Sequence, residues 1–152
     1  MIGRVALSAA LVLGAATLAL ATPPTVARAR VEHHLQHIAR LTGHFETLLA
    51  RDCPRFTTRA AWDAYVEAET DQLVLLVAHL EQAWIEAKRT GDDDMRRAAK
   101  APRRQNEQAR ALVDKLGACA ERNGATFSAL EVWRRVERDV PRRQSEIALP
   151  QE

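Results

Sequence analysis

The apolar positions of this 152-residue chain follow two different patterns. Between Val5 and Ala21 they form an almost continuous run, preceded by Arg4 and closing on Ala19-Leu20-Ala21 before the polar Thr22. After Thr25 they recur every three or four residues, which is the spacing of helices that bury one face. Cys53-Pro54, Gly91-Asp92 and Asn123-Gly124 interrupt this pattern and divide it into four helical segments. No stretch alternates apolar and polar residues in the way a half-buried strand requires.

The first segment is expected from about Val26 to Arg51, with Thr25 as its cap after Pro23-Pro24 and Val31, Ile38, Leu41, Phe45, Leu48 and Leu49 on its buried side. The second spans about Thr58 to Thr90, with Trp62, Val66, Leu73, Leu76, Val77, Leu80, Trp84 and Ala87 on one stripe, and Gly91 as its left-handed stop. The third begins at Asp92-Asp93-Asp94, whose charges suit a helix N-terminus, and continues to about Glu121. Pro102 lies inside it, removing a backbone donor and clashing with the preceding turn, so a kink or restart is expected there. Ala109, Leu112, Val113 and Leu116 form its apolar face. The fourth opens with Thr126 or Ser128 as cap, Ser128 and Glu131 having capping-box spacing. It turns Leu130, Trp133, Val136 and Val140 inward and ends at Pro141.

The reading is therefore all-α: an up-down-up-down four-helix bundle with a kinked third helix, preceded by an N-terminal signal helix. Residues 1–21 have the order of an export signal, a basic start, an apolar middle and small residues before the cleavage point, which gives a mature chain starting at Thr22 in the periplasm or outside the cell. The competing reading is a retained anchor, since a run of about 17 residues is the lower edge of a membrane span. With the signal cleaved, no stable membrane insertion is expected. Residues 22–141 form the bundle and residues 142–152 a flexible tail.

Charge changes this picture little. The chain has 22 basic and 20 acidic residues, so nothing drives it generally toward nucleic acid. The two cysteines add more. Cys53 follows the first segment and Cys119 ends the third; in the expected topology both reach the same end of the bundle, and an oxidising compartment lets them join.

Chemistry gathers in the first segment at His33, His34, His37 and His44. His33, His37 and His44 lie within about 40° of one another around a helix, while His34 falls in the apolar face. Neutral imidazoles at i and i+4 bind Zn²⁺, Cu²⁺ or Ni²⁺. Antiparallel packing brings Glu69 level with about residue 39 and Glu107 to a similar height, which makes a core site from His37, Glu69 and Glu107 conceivable. Against this, the paired Glu-x-x-His motifs of carboxylate-bridged bundles are missing, and histidines at such positions often only rim a core. No Cys-x-x-Cys-His attachment site is present, so no haem is expected.

A basic stretch, Arg96, Arg97, Lys100, Arg103 and Arg104, offers a face for an acidic partner, a lipid headgroup or an unfolded client. Without interleaved aromatics it is not a base-stacking surface. The simpler reading is that it offsets the acidic second segment across the bundle. No phosphate-binding loop, Gly-x-Ser-x-Gly elbow or His-Glu-x-x-His motif is present, so no catalytic role is expected. The functional expectation is an exported non-enzymatic protein of the cell envelope, acting as a structural component or through an envelope protein partner. Its alternatives are a periplasmic metal-binding protein using the histidine stripe and an envelope chaperone using the basic face.

Overall fold

A computed structural model describes residues 24–102 and 106–150. The expected signal segment, residues 1–21, lies outside the described residues, as do Arg103 and Arg104. The described residues form five helices and no strand: α1 (Pro24–Ala50), α2 (Arg59–Thr90), α3 (Asp93–Lys100), α4 (Asn106–Arg122) and α5 (Ala129–Glu146). This all-helical arrangement is compatible with a bundle. Among the described residues no helix is long and apolar enough to cross a membrane.

Local chemistry accounts for most helix ends. The Thr58 side chain accepts a hydrogen bond from Ala61 N–H and opens α2, while Gly91, at φ 70°, closes it in a conformation that costs a side chain dearly. Asp92 caps α3 by accepting from the N–H groups of Asp94 and Met95, and Ser128 caps α5 by accepting from Glu131 N–H. Pro102 falls between α3 and α4, so the third segment restarts there as two helices.

Four expectations need correction. Thr25 does not cap α1, because the helix already includes Pro24, a residue suited to a first turn. Pro141 does not end α5; the helix continues through it to Glu146. There Glu146 accepts from Arg142 at 2.7 Å and from Arg143 at 3.3 Å, and Gln144 donates to Glu81 of α2 at 2.7 Å, tying the last turn to its neighbours. Residues 142–146 are thus helix rather than flexible tail. Leu130 is 58% exposed, whereas Val132, Val136 and Val140 are buried. Their i, i+4 row is the face that meets α2, and Leu130 stands some 200° around the helix from Val132.

Side-chain pairs give the directions of the helices. Residue numbers fall along α2 as they rise along α1 in the pairs Arg30–Glu86, His34–His79 and His44–Glu69, so these two helices run antiparallel. They rise together from α1 to α4, from Glu46–Gln108 to the contacts of Lys115 with the carbonyls of Leu49 and Arg51, and from α2 to α5 in Asp71–Arg135 and Glu81–Gln144. α2 is the central helix. It buries Leu73, Val74, Leu76, Ala78, Leu80, Ala83 and Ala87, too many for one stripe, because it packs on both α1 and α5. The α1 and α4 faces are largely as expected: Val31, Ile38, Leu41 and Phe45 meet Leu112, Val113 and Leu116 in one continuous core.

Cys53 and Cys119 form a disulfide at one end of the molecule. Trp62 and Ala120 are buried with it, and Phe56, Tyr65, Val66 and Phe127 pack around them. Asn123 fastens the loop before α2, accepting from Phe56 N–H at 2.9 Å and donating to Pro54 O at 3.0 Å. Cross-linking residues 66 positions apart restricts the unfolded chain by about 4 kcal/mol in the chain-entropy model. The double variant Cys53→Ser/Cys119→Ser should therefore lose about 4 kcal/mol in urea unfolding, and dithiothreitol should destabilise the parent protein by a similar amount; equal midpoints with and without reductant would contradict this.

Candidate functional site

The seam between α1 and α2 carries the chemistry of the molecule. α1 places His33, His34 and His37 over one turn, and α2 sets His79 against them. His34 and His79 are buried, at 0% and 2% exposure, with their Nδ1 atoms 2.9 Å apart. One Nδ1 must donate and the other accept, so at least one ring is neutral, and when both are neutral they hold opposite tautomers. His37 stacks on His79 with ring centroids 4.6 Å apart and planes within 4°, and His33 lies 4.6 Å from His37 and 6.2 Å from His79.

Burial above all holds His34, His37 and His79 below the usual imidazole pKa. Burial, reinforced by His33, His37 and Arg30, lowers the His34 pKa to about 4. Burial, then His34, His37, His33 and Arg40, lowers that of His79 to about 3. His37 is lowered as well, by burial first and then by His33 and Arg40. Neutral imidazole is the form that ligates metals. Two ring nitrogens, His34 Nε2 and His37 Nδ1, are buried without a hydrogen-bond partner, an arrangement that costs about 1–3 kcal/mol each when nothing engages the group.

The cluster opens to solvent through a cleft of about 270 Å³ between α1, α2 and the end of α5, lined by His33, His37, Arg40, His79, Arg143 and Glu146 among others. A second hollow of about 240 Å³ lies nearer the disulfide. In it His44 Nε2 stands 2.7 Å from Glu69 Oε2, with Tyr65 and Lys115 on the walls. Burial and then the Glu69 carboxylate raise the Tyr65 pKa.

The residues proposed from sequence for a metal thus divide. His33 and His37 come together, and their partner across the seam is His79. Glu69 meets His44 instead of His37, and Glu107 is exposed in the first turn of α4. Among the described residues no three His, Cys, Asp or Glu side chains stand ready-made around a metal position. The His37–His79 stack is the reason: it turns the rings face to face, and their nitrogens converge only when the rings rotate. Sequence reasoning passed over His79, which sits in the run Leu73–Leu80 and reads there as an interruption of a core stripe. The informative sign was that an unpaired histidine in such a run needs a polar partner, and His34 was the one histidine on the facing apolar stripe.

Two residues of the basic stretch are neutralised locally. Arg96 pairs with Asp93 and Arg97 with Asp94, one turn apart on α3 itself. Three acidic residues of α2 turn to other helices: Glu67 and Asp71 to Arg135 of α5, and buried Glu86 to Arg30 of α1 as well as its own Arg89. The expected offset between the second and third segments is therefore made with α5 and α1. The chain matches no family model, no curated protein and no solved structure. Function must be read from the cluster itself.

The depressed histidines set the acid limit of the fold. Their unfolded pKa is about 6.5, so above that pH both states are neutral, and below it the unfolded chain takes up protons that the native one refuses. Stability should fall from about pH 6.5 toward pH 4 and then 3, losing up to about 2 kcal/mol per histidine by pH 5. Urea unfolding of chelator-treated protein at pH 7 and pH 5 checks this, and His34→Leu/His79→Leu should flatten the slope. An unchanged slope in that variant would contradict the assignment.

Proposed function

We propose that this chain is an exported helical-bundle protein of the cell envelope that binds a transition-metal ion at the histidine cluster, without catalysis. The observation that carries the reading is the convergence of His33, His37 and His79, with His34 behind them. Imidazoles ligating one ion lie at about 3 Å from ring centre to metal, so their centroids stand some 4.5–6 Å apart. His33–His37 and His37–His79, at 4.6 Å each, lie within that range, and His33–His79, at 6.2 Å, lies just beyond it. Rotation of His33 and His37, both only partly buried, is the adjustment that binding requires. His34, hydrogen-bonded to His79, orients that ring from the second side, as outer partners of ligating histidines do.

Export supports this reading, since the signal-like residues 1–21 would place the cluster where metal reaches the cell from outside and where the Cys53–Cys119 bridge persists. The envelope chaperone reading has less support, because Arg96 and Arg97 already have carboxylate partners.

Calorimetric titration of protein taken from the periplasmic fraction, where its amino terminus is expected at Thr22, should give one Zn²⁺ or Cu²⁺ site of micromolar affinity or tighter. His33→Ala/His37→Ala should weaken it at least tenfold with the helical circular dichroism intact. Binding weaker than micromolar, or unaffected by that variant, would overturn the metal reading.

A further inference from the structure

The histidine cleft is too roomy for a bare ion, and its remaining charges have the wrong sign for one. At metal–nitrogen distances of about 2.0–2.1 Å an ion held by His33, His37 and His79 fills a corner of the 270 Å³ space. Imidazoles bring no negative charge to a divalent ion. The charged residues of the rest of the lining are Arg40, Arg143 and Glu146, and the Glu146 carboxylate is already shared between Arg142 and Arg143. A divalent ion alone would therefore add two positive charges beside two guanidinium groups.

Arg143 also has unused capacity. It donates to Glu146 through Nη1, while its Nε is buried without a hydrogen-bond partner. A guanidinium presents its donors in a planar fork that matches a carboxylate. Ile147 and Ala148 supply an apolar wall on the same side of the cleft.

We propose that the cleft takes the metal ion together with a small carboxylate-type oxyanion. The histidines hold the ion, Arg143 with Arg40 holds the anion, and the anion supplies the negative charge that the protein's own donors lack. This rests on the metal site proposed above. Binding of the two is then coupled, and by linkage each tightens the other by the same factor.

The test titrates micromolar Zn²⁺ into the disulfide-bonded protein in a non-coordinating buffer, with chloride alone, with bicarbonate or with acetate. Bicarbonate or acetate should tighten Zn²⁺ binding at least tenfold over chloride. Enhancement by bicarbonate alone identifies an inorganic anion, and enhancement by acetate identifies the carboxylate of an organic acid; both support the proposal. In Arg143→Met the ratio of affinities with and without anion should fall to about one. Arg143→Lys should restore part of it, and the surface variant Arg134→Met should retain all of it. Zn²⁺ binding that ignores both anions, or full enhancement in Arg143→Met, would overturn the coupled site while leaving the metal reading standing. Absence of any Zn²⁺ binding, and of Cu²⁺ binding in the same titration, would overturn both.

Discussion

The structure depends on a pair of neutral histidines kept apart from water. His34 and His79 meet at the centre of the α1–α2 seam, where their single hydrogen bond needs one ring to be neutral and burial favours the neutral form of both. A Leu or Val pair would fill the same space without requiring a partner, and replacing a buried polar pair by apolar groups of similar shape is often neutral or stabilising. The polar choice carries a cost in orphaned ring nitrogens and in acid sensitivity. What it gains is a fixed set of imidazole donors against which His33 and His37 can close.

The remainder of the seam fixes how α1 meets α2. Arg30–Glu86 lies on one side of the histidine layer and His44–Glu69 on the other, with Val31, Ile38, Leu41 and Phe45 between them. Any slip of one helix along the other would leave a buried charge or imidazole without its partner, a larger penalty than the apolar contacts alone could impose. At the far end, the disulfide, the aromatic packing around Trp62 and the hydrogen bonds of Asn123 hold α1, α2 and α4 together. The cluster therefore sits in a frame braced away from it, and its own exposed side closes against α5, the helix that contributes Arg143.

Much of this was legible in the sequence. Helical period located the core of α1 and α4, the capping residue Ser128 and the stop at Gly91 were identifiable by type, Pro102 announced the break between α3 and α4, and the two cysteines were placed at one end by topology alone. The misses have physical reasons. Pro141 signals a helix end locally, yet Glu146, Arg142 and Gln144 form pairs beyond it that only the folded chain brings together. Leu130 is apolar, but its row on α5 turns away from α2. α2 reads as a single stripe because sequence pattern does not show that it is packed from two sides. Most consequentially, the site needed His79, forty-five positions from His34, and periodicity assigns each residue a face without telling which residues face each other.

The proposed metal site stands on a neutral His34–His79 pair with His33 and His37 beside it. Long-range ¹H–¹⁵N correlation spectra of the imidazole rings at pH 6, recorded before and after one equivalent of Zn²⁺, test it most directly. His34 and His79 should be uncharged and in opposite tautomers without metal, and ring nitrogens of His33, His37 and His79 should shift together on its addition while His44 stays as it was. Protonated His34 and His79 at that pH, or Zn²⁺ shifts confined to His44, would contradict it.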